Sequence, residues 1–276
     1  MPEFSGLPER LPRRWRARAA LILGSRVGTV AMRGFAELIR VQIFDRAMTL
    51  AAQSFTSIFP LLIMLLALLG PAYRARLTDL LHLPSGSERL VQQALSGSRS
   101  NAFGVVGCLI VILSATGLSR ALVRSYRAVW QVAQTPAGPA ATGRQVGTVL
   151  ALVAVLLVAR LLGRVAARLP APHVSGVLFT LVTDIGLAVL LPWLLLGAAA
   201  PRRPLLAGAV VFGLLMIVVR AAGVVYLPRA LQSSTDRYGT IGLAFTYLGW
   251  LYVLAFCLLL AAVAGGMVRA APVDGR

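Results

Sequence analysis

Long apolar stretches separated by short arginine-bearing links dominate the chain. The stretches fall at residues 47–69, 102–118, 146–162, 174–199, 205–226 and 241–268. At 1.5 Å of rise per residue, segments of this length cross the roughly 30 Å of hydrocarbon in a bilayer, whereas strands and helices of a soluble core are shorter. Two further segments are amphipathic. Over 27–46, Met32, Phe35, Ile39 and Ile43 recur at helical spacing, while Arg33, Glu37 and Arg40 share another face. That pattern predicts a helix lying in the membrane surface. After the second apolar stretch, Arg120, Arg124 and Arg127 lie opposite Leu118, Ala121, Leu122, Tyr126 and Val129, predicting a second interfacial helix that ends near Trp130. The expected fold is all-α: a polytopic membrane protein with six transmembrane helices plus amphipathic interfacial helices.

The flanks and links follow from the same pattern. Residues 1–26 are basic, with Pro and Arg and no periodicity through residue 18, and read as a disordered cytoplasmic tail. The transmembrane domain covers 47–268, and 269–276 form a short cytoplasmic tail. The link 70–101 is the longest between spans and carries Pro71, Pro84 and Gly86. Pro60 sits inside the first span, where its ring removes one backbone hydrogen bond and bends the axis. Thr56 and Ser57, one turn earlier, are placed to satisfy the freed carbonyl.

Composition fixes the solvent and the orientation. Of 276 residues, 58% are hydrophobic and 13% charged, too few charges to cover a soluble domain. The net charge is +18, from 27 basic and 9 acidic residues, and every basic residue is Arg. Arg in short loops is retained in the cytoplasm. With the N-terminus inside, seventeen of the arginines fall on the inner side and ten on the outer side or within spans, so both termini are expected to be cytoplasmic. Such a surface attracts anionic phospholipid rather than nucleic acid as a partner. Cys108 and Cys257 lie in apolar stretches and imply no disulfide. Arg26 and Arg33 cut the apolar segment 19–23 short of a signal-peptide core, so no cleavage is expected.

Few residues can carry chemistry. Asp184 is the acid deep inside a span; an ionised carboxylate at that depth costs about 2.5 to 3.5 kcal/mol on insertion scales unless paired or hydrated. It reads either as a proton-coupling or substrate-gating group or as the partner of Arg220 or Arg160 in a structural ion pair. Arg160, Arg164 and Arg168, four residues apart, form a stripe that either guides a phosphate-bearing headgroup or snorkels to the interface. Gln53, Ser54 and Ser57, with the bend at Pro60, place polar groups inside the membrane and serve equally as a pathway or as packing contacts. Arg120, Arg124 and Arg127 read as an anchor to inner-leaflet lipid. His82 and His173 lie in outer links without metal-ligand spacing, and the chain has no HExxH, P-loop or GxSxG pattern. No metal, no cofactor and no enzymatic activity are expected.

Residues 45–62, DRAMTLAAQSFTSIFPLL, together with LSATGL at 113–118 and YGTIG at 238–242 followed by Trp250, Leu251 and Tyr252, resemble the YihY/BrkB family of bacterial inner-membrane proteins. The resemblance covers about residues 30–270. The chain departs from the family where an aromatic pair often stands, at Ala52 and Gln53, and where a Gly-Ala-Glu run often closes the last span, here Ala264-Gly265-Gly266. Any role of that Glu is absent here or moved. The resemblance implies an inner-membrane location and the handling of envelope lipids; the family was once labelled a ribonuclease.

Three functions of different class remain. A transporter of an anionic envelope lipid or related amphiphile fits buried charge, a bent helix and basic surface helices. A non-catalytic scaffold, as a homo-oligomer or with envelope-assembly proteins, fits if the buried charges only join helices. A membrane-bound ribonuclease fits least, for want of clustered carboxylates or a paired acid and base.

Overall fold

The computed structural model describes residues 26–68, 101–133, 147–148 and 172–270. Within these there is no strand, and five helices form α1 (Arg26–Val41), α2 (Ile43–Leu68), α3 (Asn101–Trp130), α4 (Pro172–Leu196) and α5 (Arg202–Ala270). Helices thus occupy the stretches assigned to spans one, two, four, five and six. The stretch assigned to span three lies outside the described residues, apart from Gly147 and Thr148, which are helical. Among the described residues, three helical segments, Leu109–Trp130, Gly176–Leu196 and Arg202–Val268, are long and apolar enough to cross a membrane. The chain is a membrane protein on this ground.

The described residues up to Gln42 form one compact unit and those from Ile43 onward a second. In the first, α1 shows the amphipathic pattern directly: Met32, Phe35 and Ile39 are exposed along one face. On the polar side the Arg40 guanidinium donates to both carboxylate oxygens of Glu37 one turn earlier, through Nε at 2.7 Å and through Nη2. The helix stops at Gln42, which takes a left-handed φ of 53° and donates its N–H to the Ile39 carbonyl at 2.9 Å. The interfacial segment therefore ends earlier than the periodicity over 27–46 implies. Ile43 begins α2 and is fully buried.

The second unit is a bundle of α2 to α5. Its largest feature is α5, in which Gly239 (φ 61°, ψ −141°) reverses the chain between two arms, 202–238 and 240–270. Only glycine adopts that conformation without strain. The arms run antiparallel, and small residues let them touch. A Cβ on Gly208 would stand 2.9 Å from the Ala261 carbonyl oxygen, one on Gly223 would stand 2.8 Å from the Trp250 indole, and one on Gly265 would meet the backbone of Pro204 and Gly208. Near the turn the Thr246 hydroxyl donates to Ser234 Oγ at 2.8 Å. Residues 227–238, expected as a link, continue the first arm as helix. The apolar stretches 205–226 and 241–268 consequently lie side by side.

One sequence expectation is corrected by α3. No break separates span two from the amphipathic segment after it; a single 30-residue helix runs from Asn101 to Trp130. The apolar face of its second half packs on protein rather than on lipid, because Ala121, Leu122, Tyr126, Val129 and Trp130 are buried and Trp130 Nε1 donates to the Ala262 carbonyl at 3.1 Å. Helical periodicity specifies a buried stripe, and here another helix supplies the cover. The helix closes on Gln131, left-handed at φ 53°, with the Val132 N–H returning to the Arg127 carbonyl at 3.2 Å.

Candidate functional site

The site is built outward from Asp184. Helix α4 places it next to the first arm of α5, where the absence of a side chain on Gly213 lets Ile185 and Leu181 approach. Since Gly213 stands mid-way along the apolar stretch 205–226, Asp184 lies near the middle of the bundle's apolar thickness. Its side chain is 7% exposed and accepts a hydrogen bond at 2.5 Å from Arg220 Nη2, whose own side chain is 44% exposed. The pair is asymmetric: a buried carboxylate is held by a guanidinium that still reaches the bundle surface. Arg220, one of the two partners expected for Asp184, is joined to it; Arg160, Arg164 and Arg168 lie outside the described residues.

A second polar region runs between α2 and α3. Ser57 is fully buried and donates to the Ser114 carbonyl at 3.0 Å. Gln53 lies with its amide over Gly117, where a Cβ would collide with it. Ser54 is half-buried beside them. The expectation that Thr56 or Ser57 caps the carbonyl freed by Pro60 is corrected: Thr56 donates to the carbonyls of Ala52 and Gln53, both at 3.1 Å, and Ser57 donates across to α3. Both hydroxyls find partners closer than the bend.

On α3, Arg120 and Arg124 are exposed and Arg127 half-buried. Thr116 and Ser119 are buried, and their hydroxyls find no hydrogen-bond partner. They share the Tyr126 and Trp130 face of the helix, by spacing of three and four residues. Beside those two rings, Gly208, Ala209, Phe212 and Ala262 help to line a cavity of about 10 Å³, room for about one water and too small for a lipid headgroup. Among the described residues no three His, Cys, Asp or Glu side chains converge to hold a metal.

These helices carry the three sequence motifs noted above: the 45–62 run lies within α2, the 113–118 run is the part of α3 that meets Gln53 and Ser57, and the 238–242 run is the reversal in α5. The family model described as Virulence factor BrkB matches residues 35–270. The chain belongs to the BrkB family. The match extends from within α1 to the last residue of α5 and so includes every helix of the second unit. No curated protein and no solved structure is significantly similar to the chain.

Sequence reasoning foresaw the membrane character, and of the alternatives it left open for Asp184 the ion pair with Arg220 is present. It missed that Thr116 and Ser119 carry buried hydroxyls on α3 without a hydrogen-bond partner, because nothing in their spacing set them apart from packing residues.

Proposed function

We propose that this BrkB-family protein is a six-span transporter of an anionic envelope lipid or related amphiphile, in a bacterial inner membrane with both termini cytoplasmic. The observation that carries the proposal is the Asp184–Arg220 pair, near the middle of the apolar thickness and open to the bundle surface on the Arg220 side. A phosphate competes with a carboxylate for the same guanidinium fork, so an anionic headgroup that reaches Arg220 displaces Asp184, and the helices α4 and α5 lose one contact. That exchange couples substrate to helix packing without any covalent step, consistent with a protein that is not an enzyme and needs no cofactor. Anionic phospholipid is the partner on this reading, and nucleic acid is not.

A scaffold for envelope-assembly proteins or a homo-oligomer is the second reading, and the closed pair favours it to the extent that the ion pair holds α4 on α5. The two separate on native mass spectrometry of the protein in mild detergent, comparing wild type with Asp184→Asn for retained lipid. Selective retention of one anionic lipid that changes in the variant supports transport; unselective lipid in both supports the scaffold.

A further inference from the structure

The exposed face of the first α5 arm changes character along its length. Leu214, Val218 and Val225 recur at helical spacing and are 55%, 66% and 56% exposed. The same face continues past Tyr226, where the apolar stretch ends, into Arg229, Gln232, Ser233 and Asp236, all of them exposed. It is continuous because residues 227–238 stay helical; a loop there would have scattered those side chains. Apolar side chains thus give way to polar ones within about one turn of a single helix, as the tails of a phospholipid give way to its headgroup.

The polar part of the face is concave. Arg229, Gln232, Ser233, Asp236 and Arg237 line an open cavity of about 340 Å³. Small-ligand sites run from roughly 300 to 1,000 Å³. Sequence spacing keeps this one from closing on itself. Charged side chains on a helix meet at three or four residues, whereas Asp236 is seven residues from Arg229 and adjacent to Arg237, and among the described residues neither arginine is ion-paired. Arg229 Nη1 donates to the Val225 carbonyl at 3.3 Å, one turn back toward the apolar stretch. That contact sets the guanidinium at the border between the apolar and polar parts of the face.

We propose that this face of α5 binds a phospholipid whose head is a phosphodiester bearing hydroxyl groups, with the phosphate at Arg229, the hydroxyls at Gln232, Ser233 and Asp236, and a tail along Leu214, Val218 and Val225. The order along the helix is the order along the lipid. Arg229 follows the apolar side chains directly, and a guanidinium pairs with phosphate oxygens through two parallel donors. Asp236 stands about 10 Å further out, where a carboxylate accepts hydrogen bonds from hydroxyls and repels a phosphate that carries a second charge. Two arginines against one acid leave one positive charge for one phosphodiester. Arg220 stands on the other side of the helix, about 200° round from Val218 at 100° per residue. The site is therefore separate from the Asp184–Arg220 pair and does not rest on the transport reading.

The test is native mass spectrometry of the full chain with three lipids of equal tails: phosphatidylglycerol, phosphatidic acid, which lacks the second glycerol, and diacylglycerol, which lacks the phosphate. Wild type is expected to retain them in that order. Arg229→Gln is expected to lower phosphatidylglycerol retention about tenfold, and Arg229→Lys to lower it less. Asp236→Asn should bring phosphatidylglycerol down to the level of phosphatidic acid without lowering the latter. Arg203→Gln, at the far end of the same arm, should change nothing. These side chains are exposed, so exchanging them leaves the core intact. Equal retention of the three lipids by wild type, or an equal fall in Arg203→Gln, overturns the site. Displacement of phosphatidylglycerol by an equal concentration of glycerol phosphate also overturns it, since the tails would then contribute nothing. A fall in Asp184→Asn with Arg229→Gln unchanged refutes this site and leaves the transport reading standing; a fall in Arg229→Gln with Asp184→Asn unchanged supports it.

Discussion

Removing Arg220 is expected to damage the protein more than removing Asp184, although the two form one pair. After Asp184→Asn, the guanidinium of Arg220 is already 44% exposed. It stands six residues, about 9 Å, from Tyr226 at the end of the apolar stretch, so with a reach of roughly 7 Å it turns toward the headgroups. After Arg220→Gln, the Asp184 carboxylate stays 7% exposed near the middle of the bundle with no such route. Breaking a fully buried pair costs about 3 to 5 kcal/mol, and polar contacts between membrane helices measure about 0.6 to 1.7 kcal/mol. With one half-exposed partner, Arg220→Gln falls between, at about 2 kcal/mol, and Asp184→Asn at about 1 kcal/mol. The double variant removes the buried carboxylate and recovers most of the Arg220→Gln loss, giving a coupling of at least about 1 kcal/mol. Unfolding in mixed micelles with increasing dodecyl sulfate measures all four proteins. Additive losses, with coupling within about 0.5 kcal/mol of zero, or an Asp184→Asn cost above that of Arg220→Gln, would refute this reasoning.

Three other substitutions or conditions follow from local geometry. Gly265→Ala puts a Cβ against the backbone of Pro204 and Gly208, which cannot move aside as a side chain can, so the α5 arms separate and stability falls by about 3 kcal/mol in the same unfolding assay. Gln131→Gly relieves a left-handed residue at the end of α3 and raises the midpoint slightly, by up to about 1 kcal/mol. Glu37 is held below its usual value of 4.5, first by the hydrogen bond from Arg40. A depressed carboxylate stabilises its helix above the unfolded value and loses that support as pH falls through the folded one. Helicity of a peptide covering α1 on anionic vesicles should therefore drop as pH falls below about 4.5, by a few tenths of a kcal/mol; Glu37→Gln should flatten that dependence.

Much of the fold was readable because a bilayer reduces the choices: an apolar run of some 20 residues is a helix, and its ends are marked by arginine. Asp184 stood out for the same reason, since a lone acid in such a run must find a partner. Periodicity, however, reports only that one face of a helix is buried, not what buries it. The segment after span two thus read as a surface helix, whereas Trp130 and Tyr126 meet the second arm of α5. The gap between the stretches 205–226 and 241–268 was legible, but not that 227–238 stay helical, because Pro228 and the polar run before Gly239 carry the composition of a link. Gln53 and Gly117 were both visible, and their contact was not: it depends on the register of α2 on α3.

The most direct test of the transport account is flux of a fluorescent short-chain phosphatidylglycerol between the leaflets of liposomes holding the purified protein, read by dithionite quenching, with wild type, Asp184→Asn and Arg220→Gln side by side. The account predicts movement above protein-free liposomes in wild type and its loss or marked slowing in both variants while each remains folded. Wild-type movement no faster than in protein-free liposomes, from protein that still binds the lipid, would contradict transport and leave the helices around Asp184 as a scaffold.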